Sequence, residues 1–200
     1  MNKLFLTAAM MFSLGTAQAS STVSFILGAD DYADIFISTD DTVQGSLIGS
    51  TTFFGGPLQT ITASLTSGVK NYIHILVQNY GGPDGISGEF SLSSPTFEFS
   101  NGTQFLSTTP STVNLSATGF GMDYQTPVSF GAMILFGAYY SDQYQFPLIT
   151  ESISGVGGPS YFSIPIYAVA AVPEPESVAL LLAGLGVLGP VIRRRHKTAA

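Results

Sequence analysis

The sequence predicts an all-β fold, a single β-sandwich or jelly roll, lying between two apolar segments of a different character. Three observations carry this reading. Between residues 20 and 171, short runs rich in β-branched and aromatic residues recur with strand-like alternation. Gly- and Pro-rich clusters separate them, such as Gly55-Gly56-Pro57, Gly81-Gly82-Pro83-Asp84-Gly85 and Gly157-Gly158-Pro159. Helical spacing is nearly absent from the same stretch. The chain divides accordingly into residues 1–19, 20–171 and 172–200.

Composition narrows the function. The chain has 200 residues, 13 acidic and 6 basic, for a net charge of -7. With no cysteine it has no disulfide, no thiolate metal site and no cysteine nucleophile. Two histidines, His74 and His196, leave little for a multi-histidine metal centre. An acidic chain with so few cations is a poor nucleic-acid binder. Residues 20–171 carry Lys70 as their one basic residue against eleven acids. Such a surface favours cations or neutral glycans over anionic polymers.

Taken in order, the first segment places Lys3 before an apolar run from Leu4 to Leu14, then Ala17-Gln18-Ala19. A charge, a short apolar run and small residues in that order read as a secretory signal peptide. Signal peptidase would cut after Ala19. The strands that follow are expected at Thr22–Leu27, Tyr32–Ser38, Thr60–Thr66, Tyr72–Gln78, Gly88–Leu92, Thr96–Phe99, Thr112–Thr118, Phe130–Tyr139 and Tyr161–Ala168. In the Tyr72 strand, alternation sets Tyr72, His74 and Leu76 on one face and Ile73, Ile75 and Val77 on the other. A histidine so placed reads as a packed or surface residue.

The last segment begins with Val172-Pro173-Glu174-Pro175-Glu176, extended because each proline disfavours helix before it. An uncharged stretch, Val178 to Ile192, follows and would give about 22 Å of helix at 1.5 Å per residue. With Ser177 added, the expectation is a transmembrane helix over 177–192. Arg193, Arg194 and Arg195 close it and set the C-terminus on the cytoplasmic side. Gly184, Gly186 and Gly189 match G-x-G-x-x-G, but no βαβ unit surrounds them, so they read as helix-packing glycines.

The order Pro173-Glu174-Pro175, apolar helix, arginine cluster resembles the PEP-CTERM sorting signal of exported proteins in Gram-negative bacteria that make exopolysaccharide. The resemblance implies that a membrane-embedded exosortase recognises the three-residue motif and processes the chain near it. It implies transit through the inner membrane and delivery to the cell surface or extracellular matrix. A weaker resemblance covers residues 22–92. Ala29-Asp30-Asp31 with Ile35-Phe36-Ile37, and then Leu65, Gly68, Asn71, Asn79, Gly81, Gly82, Pro83 and Gly85, are similar to strands and turns of galactose-binding-like jelly rolls. The Asn-Gly that closes the first strand there is Ser38-Thr39-Asp40-Asp41 here, and the following Trp is missing. This resemblance implies an accessory glycan-binding domain, circularly permuted with its early strands in residues 95–170; the alternative is a sandwich of unrelated strand order.

The chemistry expected of residues 20–171 is binding or structure without catalysis. His74 is the one histidine in this stretch, and no G-x-S-x-G elbow occurs. Asp30, Asp31, Asp40 and Asp41 are oxygen ligands of the kind calcium takes, and converge if the hairpin folds them together. Asn79, Tyr80 and Asp84, with Tyr140 further on, supply an aromatic platform and hydrogen-bonding groups for a glycan. Glu89 and Glu98 stand out only as glutamates. The rival readings are a glycan-active enzyme, with two carboxylates about 5–10 Å apart, and a passive surface protein without ligand.

Overall fold

The structure is a computed structural model of the chain and describes residues 20–52, 59–80, 84–134, 149–154, 156 and 158–170. The signal peptide, the Pro173–Pro175 motif and the 177–192 segment lie outside the described residues. Among those described, there are twelve strands and no helix. They belong to one compact unit that ends at Val169.

Two antiparallel sheets form the fold. The first contains β1 (Thr22–Asp30), β4 (Thr60–Ser64), β6 (Gly85–Leu92), β10 (Ser129–Ile134) and β11 (Ile149–Ser154), in the order β10-β11-β6-β1-β4. The short β8 (Phe105–Ser107) also pairs with β6. The second contains β2 (Tyr32–Ser38), β3 (Ser46–Thr52), β5 (Asn71–Gln78), β7 (Phe97–Phe99) and β12 (Ser160–Ala168), in the order β3-β2-β5-β12-β7. There β9 (Asn114–Ser116) pairs with β12.

Alternation decides what faces inward. In β1, Val23, Phe25, Leu27 and Ala29 are at most 4% exposed, while Ser24 and Ile26 face out. Ile73, Ile75 and Val77 of β5 and Phe162, Ile164 and Ile166 of β12 meet them from the second sheet, all fully buried. Phenylalanines fill the middle. Phe25 and Phe90 stack at 5.2 Å within the first sheet. Phe90 meets Phe99 of the second sheet edge-on at 6.4 Å. With no disulfide available, this apolar layer is what closes the sandwich.

The expected strands at Tyr32–Ser38, Thr22–Leu27, Tyr72–Gln78 and Tyr161–Ala168 are present with bounds that match or extend by a few residues. β3, β8 and β11 are additions to the expected set. Leu47 in β3 is 60% exposed, β8 is three residues long, and β11 carries Glu151, so none shows a clean apolar face.

Removing one of the buried rings tests this packing. Phe90→Ala is expected to lower stability by about 3–5 kcal/mol through lost transfer energy and a residual cavity. Urea unfolding with an unchanged slope would show it.

Candidate functional site

The strand β2 separates the acidic residues that the sequence groups together. Asp30 and Asp31 lie where β1 passes into β2, and Asp40 and Asp41 lie beyond its other end. Seven residues of strand span about 23 Å. The four carboxylates therefore do not form one calcium site. Among the described residues, no group of three or more His, Asp or Glu side chains is placed to hold a metal.

Asp30 and Asp31 instead meet the β5–β6 connection. The Tyr80 backbone N–H donates to Asp31 Oδ2 at 2.7 Å. Burial, followed by the charges of Asp31 and Asp84, raises the Asp30 carboxyl above its usual range. Tyr80 is 77% exposed, and its hydroxyl donates to Gln78 Oε1 at 3.3 Å. Asp84 is an interior residue, 4% exposed, and accepts a bond from Ser160 Oγ at 2.5 Å. It ties β12 to the start of β6 and is no surface ligand for a sugar. Asn79 stands beside Tyr80. Tyr140, with Ala17, Ala19, Pro173, Glu174, Pro175, Arg193, Arg194 and Arg195, lies outside the described residues.

At the other end of β2, Asp41 gathers three donors. His74 Nε2 lies 3.1 Å from Asp41 Oδ1, Tyr124 Oη donates to that oxygen at 2.8 Å, and Ser163 Oγ at 2.7 Å. His74 Nδ1 faces the Gln44 carbonyl at 3.2 Å. His74 lies on the outer face of the second sheet, yet it is fully buried. Phe120 covers it, the two rings stacked at 4.1 Å and 10°. Burial pushes the Tyr124 phenol up to about 12, and the adjoining Asp41 adds to this. Tyr124 therefore stays a protonated donor at neutral pH.

Two glycines allow the loops to close on this cluster. Gly45 has φ +89°, and a Cβ there would meet the Ile37 carbonyl oxygen. Gly121 has φ +69°, and its Cβ would stand 2.7 Å from Thr42 Cγ2. Both positions require glycine twice over, by conformation and by space. Asp40 turns the same loop by accepting from the Thr42 N–H at 2.9 Å and Thr42 Oγ1 at 2.8 Å, and these bonds lower its carboxyl below the usual range.

A third arrangement lies on the outer face of the first sheet. Cross-strand register sets Thr60, Ile26, Glu89 and Ser107 in one row. Thr62, Ser24, Ser91 and Phe105 form the next. Ser24 and Thr62 hydroxyls bond to each other at 2.9 Å. Phe105 is 50% exposed. A shallow depression of about 150 Å³ opens between Ile26, Glu89 and Phe105. Partial burial raises the Glu89 carboxyl above its ordinary range. Sequence reasoning singles out Glu89 only as a glutamate and misses Phe105, because the strand holding it is too short to show a pattern.

The Asp41 cluster is a structural device by its geometry. Asp41, and not His74, is the hub, and Ser163 bonds to the acid instead of to the imidazole. Asp41→Ala would leave three donors facing no acceptor, at a cost of about 3 kcal/mol. Asp41→Asn, which keeps an oxygen there, is expected to cost less. Thermal unfolding of both variants would check the order.

No curated protein and no solved structure matches the chain. The family described as the PEP-CTERM protein-sorting motif matches over residues 171–195. That segment begins just after the last described residue and contains the Pro-Glu-Pro run, the apolar stretch and the arginines. The chain thus carries a PEP-CTERM sorting motif, the mark of an exported protein that exosortase sorts to the cell envelope or surface.

Proposed function

We propose that the sorted cargo is a non-catalytic β-sandwich of the extracellular matrix that holds neutral glycan on the outer face of its first sheet. The observation that carries this reading is that half-exposed Phe105 and Glu89 line one depression among serine and threonine hydroxyls. A sugar offers an apolar C–H face and a ring of hydroxyls. Phe105 suits the first, and the Glu89 carboxylate accepts from the second. The lining of the depression holds one charge and several hydroxyls, which suits a neutral polymer. Tyr80, at the end of the sandwich beside Asp31, is a second exposed ring for an extended chain. Support for a role without catalysis comes from the Asp41 cluster. Its serine is not aimed at the histidine, and its tyrosine stays protonated.

Saturation-transfer NMR with the methyl glycosides of glucose, galactose, mannose and rhamnose tests the reading. At least one is expected to bind. Glu89→Gln and Phe105→Ala are each expected to weaken it about tenfold, or ~1.4 kcal/mol. Binding by none of the four, or binding indifferent to both variants, would sink the idea.

The same variant has a separate signature in stability. The raised Glu89 carboxyl means that the folded state disfavours its ionised form. The folded chain holds this proton to higher pH than the unfolded chain, so the contribution is present at acid pH and fades as pH rises above the ordinary glutamate value of 4.5. Glu89→Gln removes that dependence. Its melting midpoint at pH 7 is expected to equal or exceed that of the parent, so lost sugar binding would not reflect lost folding.

A further inference from the structure

The one lysine of residues 20–171 sits in a particular place. Lys70 Nζ lies 4.7 Å from the Tyr72 ring centroid and 4.5 Å from that of Tyr167. Beside it, Val69 is 42% exposed, Tyr167 39% and Val169 37%. Exposed apolar and aromatic groups therefore surround the domain's single cation. Glu98 stands across the ladder from Tyr167, and Asp40 lies in the loop beyond Ser38, which pairs with Tyr72.

Both ends of the domain leave at this same end. Val169 N–H donates to the Thr96 carbonyl at 2.8 Å, and Ser21 Oγ lies 3.4 Å from Thr96 Oγ1. Ser21 also accepts from the Leu65 N–H at 2.8 Å, just before the turn that carries Val69. Seven residues, 170–176, then lead to Ser177 and the apolar stretch. Fully extended, they reach at most about 25 Å. The Pro173–Pro175 motif lies within that tether.

We infer that this end of the domain rests on the lipid surface while the chain is anchored. The Tyr72 and Tyr167 rings, with Val69 and Val169, sit at headgroup level, and Lys70 Nζ meets anionic headgroups. Tyrosine and lysine are the side chains that suit a bilayer interface, apolar in body and polar at the tip. The short tether makes contact with the bilayer effectively intramolecular, so a weak surface is enough. A few side chains are too little for a stable protein interface, which needs about 800 Å² per partner. Docking here holds the Pro-Glu-Pro motif at the membrane surface, where a membrane-embedded processing enzyme works. Once the chain is cut, the same weak patch releases the domain. The inference rests on the reading that residues 177–192 enter the bilayer.

The chain has no cysteine, so single labels are clean. The full chain would be reconstituted in vesicles of phosphatidylcholine with 30% phosphatidylglycerol, with a nitroxide on Val69→Cys or on Tyr80→Cys. Flotation reports anchoring, and collision with a water-soluble nickel complex reports exposure. The expected result is a floating protein whose position 69 is at least fivefold less accessible than position 80. Lys70→Glu or Tyr167→Ser should narrow that ratio toward one. Equal accessibility in a protein that floats overturns the docking and leaves the anchor standing. A protein that does not float overturns the anchor, and the docking with it. Full protection in phosphatidylcholine alone overturns the role given to Lys70.

Discussion

The second sheet depends on a strand that arrives last. β12 lies between β5 and β7 and also holds β9, so three other strands pair with it. Its inward residues Phe162, Ile164 and Ile166 are fully buried, and its outward Ser163 reaches Asp41. Without β12, β5 would present an unpaired backbone and an uncovered apolar face. The sandwich therefore cannot close until nearly all of residues 20–168 are available. The last paired residue, Ala168, stands five positions before Pro173. Completion of the fold and display of the sorting motif are thus properties of adjoining stretches of chain.

How far the sequence reveals this varies from strand to strand. β2, β5 and β12 are legible because one face of each is almost wholly apolar. β3 is obscured because it lies at a sheet edge, with Leu47 pointing to solvent and a register shift opposite Ile35 and Phe36. The sorting motif is legible because it is local: its elements follow one another along the chain. The sites within the domain are not. Asp41 meets His74 over 33 positions and Ser163 over 122. Phe105 comes to line the same depression as Glu89 through the pairing of β8 with β6, which no local pattern announces.

The acids show what spacing alone does. Five aspartates within twelve residues look like one cluster in the sequence. A strand through their middle turns them into separate devices. Asp31 secures the Tyr80 backbone, Asp34 accepts from Tyr32 and Ser50, Asp40 turns a loop, and Asp41 gathers three donors. Most of this acidity is engaged in holding backbone and side chains in place. Glu89 stands apart from these aspartates, beside the depression on the outer face of the first sheet.

The meeting of both chain ends near Thr96 has a mechanical consequence. A load applied between residues 20 and 169 would fall on Val169 N–H and the Thr96 carbonyl, and on the Ser21 contacts, at one edge of the sandwich. Bonds there would break in succession, as in a zipper, while the long ladders of β1 with β6 and of β5 with β12 would not share the force at the outset. A pull between one end of the chain and the face bearing Phe105 and Glu89 would instead run through those ladders. The domain yields when stretched by its own termini and resists when stretched between one terminus and the outer face of its first sheet.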